Sequence, residues 1–432
     1  MYKYFIKKLL GFKDNESILI NKLSYEGANM FVNISLEVKE HNCPSCNSKT
    51  SNVHDYRTRK FKHGVVNNYF LHVIYNRRRY VCKYCNTRFP ENNFFIDKYS
   101  KISNQLNNML IHSMKDSVTF KQVAKNNNVS SSTVIRRFDK HFSINQYKLS
   151  SVISIDEFKK SNSNSKFGKY ALAIADPINK SIIDIIPNRR KDPFISYLDS
   201  IPFSELNTVN TVIIDMWPPY RDVSKKYFPN AKLVIDRFHF VRNFVWALND
   251  IRIRTMNSYK PNSSGYKVLK KFHKLLIKNH FNLSYMFSYN KHFKKFMSEY
   301  TIVRDIISYG DDLTNAYNLY SYFQVSTNTP FDSFDDAMSF IDDFINKLYA
   351  SKLPEFISLA GMFINWKVEI ANSLCLTYLD SNNNIKFYSN GFIEGVNNFI
   401  KTTRRMSYNF RSFNRFKKRI ISLFNNDFCI IA

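Results

Sequence analysis

Val152-Ile-Ser-Ile-Asp156 and Thr211-Val-Ile-Ile-Asp215 decide the fold. Each is a short apolar run that ends in a carboxylate, the pattern of a strand with its acid at the strand end. Tyr170–Ala175, Ile182–Ile186 and Lys232–Asp236 read as further strands, and Pro193–Leu198 and Tyr220–Tyr227 as helices. Three close strands followed by helix-separated strands give a mixed α/β sheet. Where the two acid-tipped strands are neighbours, two carboxylates meet at one edge of the sheet, and their repulsion raises a pKa unless a cation neutralises them. That implies a divalent metal, and Mg²⁺ suits it best because it takes carboxylates, waters and phosphate oxygens together.

Downstream, residues 237–380 carry no convincing strand and many amphipathic stretches, so they read as a helical block bracketed by Trp246 and Trp366. Helices resume at Gly391–Thr403 and Arg411–Phe424. In the first of these, Glu394, Asn397/Asn398, Lys401 and Arg404/Arg405 recur on one polar face. A carboxylate followed two turns later by a lysine is what a site gripping a DNA backbone near the scissile phosphate needs. Between Lys401 and Arg419 the chain has eight basic residues and no acid, among them Arg411, Arg415 and Lys418. Phe413, Phe416 and Ile420 recur at helical spacing as a packing face, and the bases opposite would track phosphates.

Upstream, Phe120, Val123 and Ala124 form a helical stripe, Asn126-Asn-Asn128 a turn, Val129 a packing residue and Ser130 a cap for a helix carrying Val134 and Phe138. This is helix-turn-helix spacing. It puts Ser131, Ser132 and Thr133 where side chains reach base edges, and Arg136 and Arg137 a turn later beside phosphates. Before it lie Cys43-Pro-Ser-Cys46 and Cys82-Lys-Tyr-Cys85. Four thiolates on two tight knuckles satisfy tetrahedral Zn²⁺ with no open position, a structural site that would hold together a small module with little core of its own. Arg77-Arg78-Arg79, just before Cys82, reads as a phosphate contact.

The chain has 432 residues with 63 Lys+Arg against 35 Asp+Glu, a net charge of +28. An AT-rich genome inflates Lys, Asn, Ile, Tyr and Phe together and accounts for part of that excess, but not for clustered arginines. A polyanion, nucleic acid first, is the partner implied. No apolar run of about 18 residues occurs and Lys7 and Lys8 break the first apolar stretch, so a soluble, unexported, cytoplasmic protein without membrane contact is expected. Six cysteines in a chain this long are poor usage for a disulfide framework and fit a reducing compartment.

The order of zinc knuckles, helix-turn-helix, Ile155-Asp156-Glu-Phe158, Ile214-Asp215-Met-Trp-Pro-Pro-Tyr220, Val234-Ile-Asp236-Arg-Phe-His-Phe240 and Asn390-Gly-Phe-Ile-Glu394-Gly-Val-Asn397-Asn-Phe-Ile-Lys401 resembles the ISL3 family of insertion-sequence transposases over nearly the whole chain. The resemblance implies an α/β RNase H-like catalytic domain with an all-α insertion, preceded by a zinc-ribbon-like module and a helix-turn-helix. It implies Asp156, Asp215 and Glu394 as a DDE triad holding two Mg²⁺ (or Mn²⁺) ions, with Asp236, ranked below Asp215, as a rival metal acid or a supporting group, and His239 as a helix-start packing or phosphate-contact residue, or a supporting group, rather than a ligand. Asn409 stands where the family commonly has glycine. The expected domains are a zinc-binding module over 1–100, a helix-turn-helix over 101–148, a first catalytic part over 151–240, a helical insertion over 241–384 and a second catalytic part with the basic tail over 385–432. The function implied is binding of double-stranded DNA at the element's terminal inverted repeats, cleavage there, and joining of the ends to target DNA, by a homodimer on paired ends associated with the nucleoid. The competing class is a non-catalytic zinc and helix-turn-helix regulator or a decayed transposase. A nuclease of the same fold without strand transfer is a third.

Overall fold

The computed structural model of the chain describes residues 7–8, 10–12, 17–143, 148–160, 168–407 and 412–425. Asn409, Arg411 and Cys429 lie outside the described residues. The chain forms two compact units, one made of residues 1–144 with 401–432, the other of residues 145–400.

The first unit is built on a twisted sheet. Its strands are β1 (Ile18–Glu26), β2 (Asn29–Leu36), β5 (Val53–Val66) and β6 (Tyr69–Val81), in the order β1-β2-β6-β5, with β7 (Arg88–Pro90) pairing the far end of β6. The short strands β3 (His41–Asn42) and β4 (Lys49–Thr50) form a separate ladder. Alternate residues of β2 and β6, including Val32, Ile34, Val73 and Tyr75, meet Leu10, Phe12, Phe61 and Phe95 in a buried core. The sheet thus carries a larger core than the sequence suggested for this region, because long strands whose inner faces alternate apolar and polar bury one face. Three helices follow, α1 (Asn104–Ser113), α2 (Phe120–Asn126) and α3 (Ser131–His141), around Leu106, Val123, Val134 and Phe138.

Residues from Lys401 onward belong to this unit, although the sequence places them with the catalytic part. The reason is the tail helix Phe413–Asn425, which is pinned to the three-helix cluster. Arg419 is buried and donates to the backbone carbonyls of Met114, Asp116 and Val118, and Arg415 makes a two-pronged pair with Asp139 at 2.7 and 3.0 Å.

The second unit has a five-stranded sheet of β8 (Val152–Lys159), β9 (Tyr170–Asp176), β10 (Ser181–Ile186), β11 (Thr211–Ile214) and β12 (Lys232–Ile235), in the order β10-β9-β8-β11-β12. The first three strands are antiparallel neighbours, whereas β11 and β12 join in parallel, each reached through helices. The connecting helices are α4 (Lys191–Asp199), α5 (Phe203–Leu206) and α6 (Pro218–Tyr227). Pro218 and Pro219 open α6, where their missing N–H groups cost nothing.

Beyond β12 run α7 (Arg237–Asn257), α8 (Ser264–Lys271), α9 (His273–Leu276), α10 (Glu299–Ile307), α11 (Asp311–Ser326), α12 (Phe334–Ala350), α13 (Pro354–Asn365) and α14 (Lys367–Cys375), then α15 (Gly391–Met406). The expected all-α insertion over 241–384 is corrected in one respect. It contains the hairpin β13 (Ser288–Asn290) with β14 (Lys295–Met297), and β15 (Thr377–Leu379) pairs β16 (Ile385–Phe387) across its end. Three-residue strands are too short to leave a period in the sequence. Its helices and one face of the sheet share a single core running from Leu149 to Leu374. α14 also closes the edge of the sheet: Ser373 Oγ accepts the Ile235 N–H at 2.9 Å and donates to the Ile235 carbonyl at 2.7 Å, and Asn372 donates to the Leu233 carbonyl. An edge strand covered this way cannot recruit another chain. No helix among the described residues is long and apolar enough to cross a membrane.

Candidate active site and nucleic-acid modules

Strand register brings the acids together. Ile213 pairs with Ser154 across the parallel β8–β11 ladder, so Asp215 and Asp156, each two residues further, stand level. Ile214 pairs with Ile235, so Asp236 stands level with Asp215. Three carboxyl-bearing residues therefore form a row across neighbouring strand ends, with strands spaced about 4.8 Å apart.

Asn390 and Asn397 tie α15 to this row. Asn397 donates to Asp156 Oδ2 at 2.7 Å, and Asn390 donates to Asp215 Oδ1 at 2.8 Å. Glu394 lies between them, one turn from each, and is exposed. Burial first, then the charge of Asp215, with smaller contributions from Glu157 and Glu394, pushes the Asp156 carboxyl up to about 7. Repulsion between neighbouring carboxylates is what a hard divalent cation bound by oxygen donors would cancel, although among the described residues no three of these acids bring a ligand atom each within 4.8 Å of one another. The Oδ1 atoms of Asn390 and Asn397 are buried with no protein partner, two further acceptors beside the row.

Asp236 differs from its neighbours. It is 4% exposed, caps α7 by accepting the Phe238 N–H at 3.2 Å, and accepts the backbone N–H of Asn390. Its geometry is that of a support for Asn390, which in turn holds Asp215. His239, one turn into α7, donates Nε2–H to Asp215 Oδ1 at 2.9 Å. Burial alone would lower its pKa, but the hydrogen bond and charge of Asp215, with Asp236, outweigh that and hold it above the ordinary value. Arg242 Nη2 sits 3.1 Å from the other ring nitrogen.

Sequence reasoning set Asn397 on the polar face of Glu394 without giving it a partner and missed Asn390, although residues 390 and 397 share one helix face with the glutamate. It also missed Arg189, which pairs with Glu157 beside Asp156 and lies over the rings of Tyr170 and Trp217 at 4.3 and 5.4 Å. No spacing marks Arg189, because it comes from the loop between β10 and α4. Of the two bracketing tryptophans, Trp366 is buried under Arg221, and Trp246 is exposed with Arg242 over its ring at 4.8 Å.

The four cysteines converge in the first unit. Their sulfur atoms all lie within 4.8 Å of one another, and among the described residues this is the group of three or more potential ligands that meets that spacing. Both knuckles turn alike: Asn47 and Asn86 follow the second cysteine with positive φ, and Cys43 and Cys82 donate their N–H groups to the carbonyls of Ser48 and Thr87. Hydrogen bonds to Thr87 pull the Cys85 thiol down to about 6, toward the thiolate a metal needs. A structural zinc fits this donor set. The nearby histidines are engaged elsewhere: His41 packs on Tyr80, His54 contacts Asp55, His63 contacts the Leu10 carbonyl and His72 contacts Asn29.

Around the knuckles Cys43, Tyr80, Cys82 and Phe89 form a small core of their own, distinct from that of the large sheet. Chelation is therefore expected to release one zinc per chain and to loosen residues 41–50 and 80–90, while the β1-β2-β6-β5 sheet persists. Metal analysis with hydrogen exchange checks this, and a folded, metal-free protein with protected knuckles would refute it.

The arginine run beside them has protein partners. Arg78 is buried and paired with Glu91, Arg77 donates to the Glu91 carbonyl, and Arg79 pairs with Asp55. Of the three, Arg78 is sealed inside by Glu91, while Arg77 and Arg79 are half-buried and keep part of their surface in solvent.

In the helix cluster Ser130 accepts the Thr133 N–H and Asn128 takes a positive φ in the turn. Ser132 and Arg136 are exposed, with Ser131, Thr133 and Arg137 half-buried. Lys401, Arg404 and Lys418 are half-buried and Arg405 is exposed. Arg415 is held by Asp139, so it serves the packing of the tail. If Arg136 meets phosphate, Arg136→Ala reduces the log–log salt slope of DNA binding by about 0.9. Arg415→Ala leaves the slope unchanged and instead lowers the melting temperature of the first unit. Binding curves at several salt concentrations with a thermal melt distinguish the two.

Residues 153–420 match the ISL3 family profile described as a transposase, residues 39–85 match the zinc finger of the IS204/IS1001/IS1096/IS1165 transposases, and residues 91–141 match the helix-turn-helix domain of transposase family ISL3. The transposase for insertion sequence element IS1001 of Bordetella parapertussis is 23% identical over 247 residues, 56% of this chain and 59% of that protein.

Proposed function

The chain belongs to the ISL3 family of transposases, and from that premise we propose that it binds the terminal inverted repeats of its own element, cleaves DNA at their ends and joins the freed 3′-OH groups to target DNA. The observation that carries this reading is the level row of Asp156 and Asp215 with α15 tied to both through Asn397 and Asn390. Sheet order β10-β9-β8-β11-β12, antiparallel then parallel, supports an RNase H-like catalytic domain.

Asp156, Asp215 and Glu394 would hold two divalent ions, Mg²⁺ or Mn²⁺. When bound, these supply charge neutralisation at the scissile phosphate and lower the pKa of attacking water. The chain's own residues prepare for this. Asn397 fixes the Asp156 carboxylate, Asn390 and His239 fix that of Asp215, and Asp236 seats Asn390. Ser131, Ser132 and Thr133 would face base edges, with Arg136, Arg137, Lys401, Arg404, Arg405 and Lys418 on phosphates. Two ends brought together call for a homodimer, and the setting is the cytoplasm. The test is incubation of the protein with Mg²⁺ and end-labelled duplexes carrying the element's termini. Nicked and joined products support the reading; tight end binding with no products at any divalent ion points to a regulator.

A further inference from the structure

Residues 265–298 contain eight lysines, three histidines and no acid. They form α8, α9 and the β13–β14 hairpin, and they expose aromatic side chains to an unusual degree. Tyr285, Phe287, Tyr289 and Phe296 are each 55–68% exposed, and Met286 is 82% exposed. Burying such side chains is worth about 1.5–3 kcal/mol each, so a water-facing cluster is a surface that awaits an occupant. Tyr289 and Phe296 are cross-strand partners with ring centroids 5.6 Å apart.

The lysines share this surface. The hairpin turn rests on Phe272 at the end of α8, with Phe272 and Phe293 stacked at 5.3 Å and His292 against the Phe272 ring at 5.4 Å. Lys267, Lys270, Lys271, Lys274, Lys291, Lys294 and Lys295 are exposed around it. A protein partner for so cationic a patch would have to be acidic, and the same patch on a second copy of this chain would be repelled. Exposed aromatic rings interleaved with lysines match a nucleic-acid strand whose bases are unpaired: each ring offers a stacking face and each ammonium meets a phosphate. Duplex DNA keeps its base faces hidden and could use only the lysines.

We propose that the β13–β14 hairpin with α8 forms a second DNA site, which binds single-stranded DNA by stacking bases on Tyr289, Phe296 and their exposed neighbours. The site rests on the proposed function only for its role, the holding of a strand opened at a cut end. Its existence is independent of cleavage.

The test uses the full chain and a fluorescein-labelled oligo-dT, which carries no inverted repeat and is not cut. Tyr289→Ala with Phe296→Ala should weaken oligo-dT binding about tenfold or more, from the stacking lost at two bases. Tyr289→Phe, which keeps the ring, should bind as the parent does. Lys294→Gln with Lys295→Gln should flatten the salt slope by about 1.4, at roughly 0.7 per phosphate for single strands. The aromatic variants should keep the parent's affinity for an inverted-repeat duplex, and all variants its circular dichroism. Asp156→Asn should bind oligo-dT unchanged, so a protein inactive in cleavage still reports on this site. Unchanged oligo-dT affinity in the folded double-alanine variant overturns the proposal. A shift of that variant from dimer to monomer in light scattering, with oligo-dT binding intact, also overturns it and assigns the patch to self-association.

Discussion

Asp156→Asn, Asp215→Asn and Glu394→Gln are each expected to abolish cleavage and joining of element ends while leaving folding and end binding intact. Each substitution removes a charge with little change of volume. The loss is on the order of a thousandfold or more, because a bound metal supplies several kcal/mol of transition-state stabilisation and 1.4 kcal/mol is a factor of ten. Two milder variants sharpen the test. Asp236→Asn disturbs the seat of Asn390, and Asn390→Ala removes its hydrogen bond to Asp215. Each should cost about 10–100-fold, the range for groups that orient a metal ligand. The measurement is the rate of Mg²⁺-dependent nicking and joining, read beside a binding isotherm for the same duplex. Parent-like cleavage by Glu394→Gln refutes the triad. A loss for Asp236→Asn as deep as that for Asp215→Asn makes Asp236 a metal ligand itself.

Glu91→Ala is expected to unfold the β5–β6 end of the first unit. Glu91 is fully buried, accepts the Tyr75 hydroxyl at 2.7 Å and the Arg78 N–H at 2.9 Å, and pairs with the buried Arg78 guanidinium. Removing one partner strands the other charge in a dry interior, at about 3–5 kcal/mol. All three tryptophans, Trp217, Trp246 and Trp366, belong to the second unit, so the two units can be followed separately. Tryptophan fluorescence should show an unchanged transition, while hydrogen exchange in residues 53–81 accelerates and zinc is released at lower denaturant. Arg78→Met with Glu91→Leu should recover part of the loss, since apolar side chains of similar volume can replace a buried pair. Parent-like protection of β6 in Glu91→Ala would mean that water reaches Arg78.

By itself the sequence determined the local chemistry. The apolar runs ending in Asp156 and Asp215, the paired Cys-x-x-Cys knuckles and the Ser130-capped helix are governed by period, length and capping within a few residues of one another. Such patterns stay legible because the physics that makes the element acts along the chain. The partners of each charge were decided elsewhere. Arg77, Arg78 and Arg79 read only as a run of charge until strand pairing gave them Asp55 and Glu91 as partners, and the pairing of Arg415 with Asp139 could not be read before the tail helix was placed. Asn397 was legible as a polar-face neighbour of Glu394 and Asn390 was not, and only the sheet register, which puts Asp215 level with Asp156, gave them carboxylates to hold. Hydrogen bonds and ion pairs act over about 3 Å in space, whereas Asn397 and Asp156 lie 241 residues apart in sequence. Which groups come within that reach is fixed by packing, and no local pattern records it.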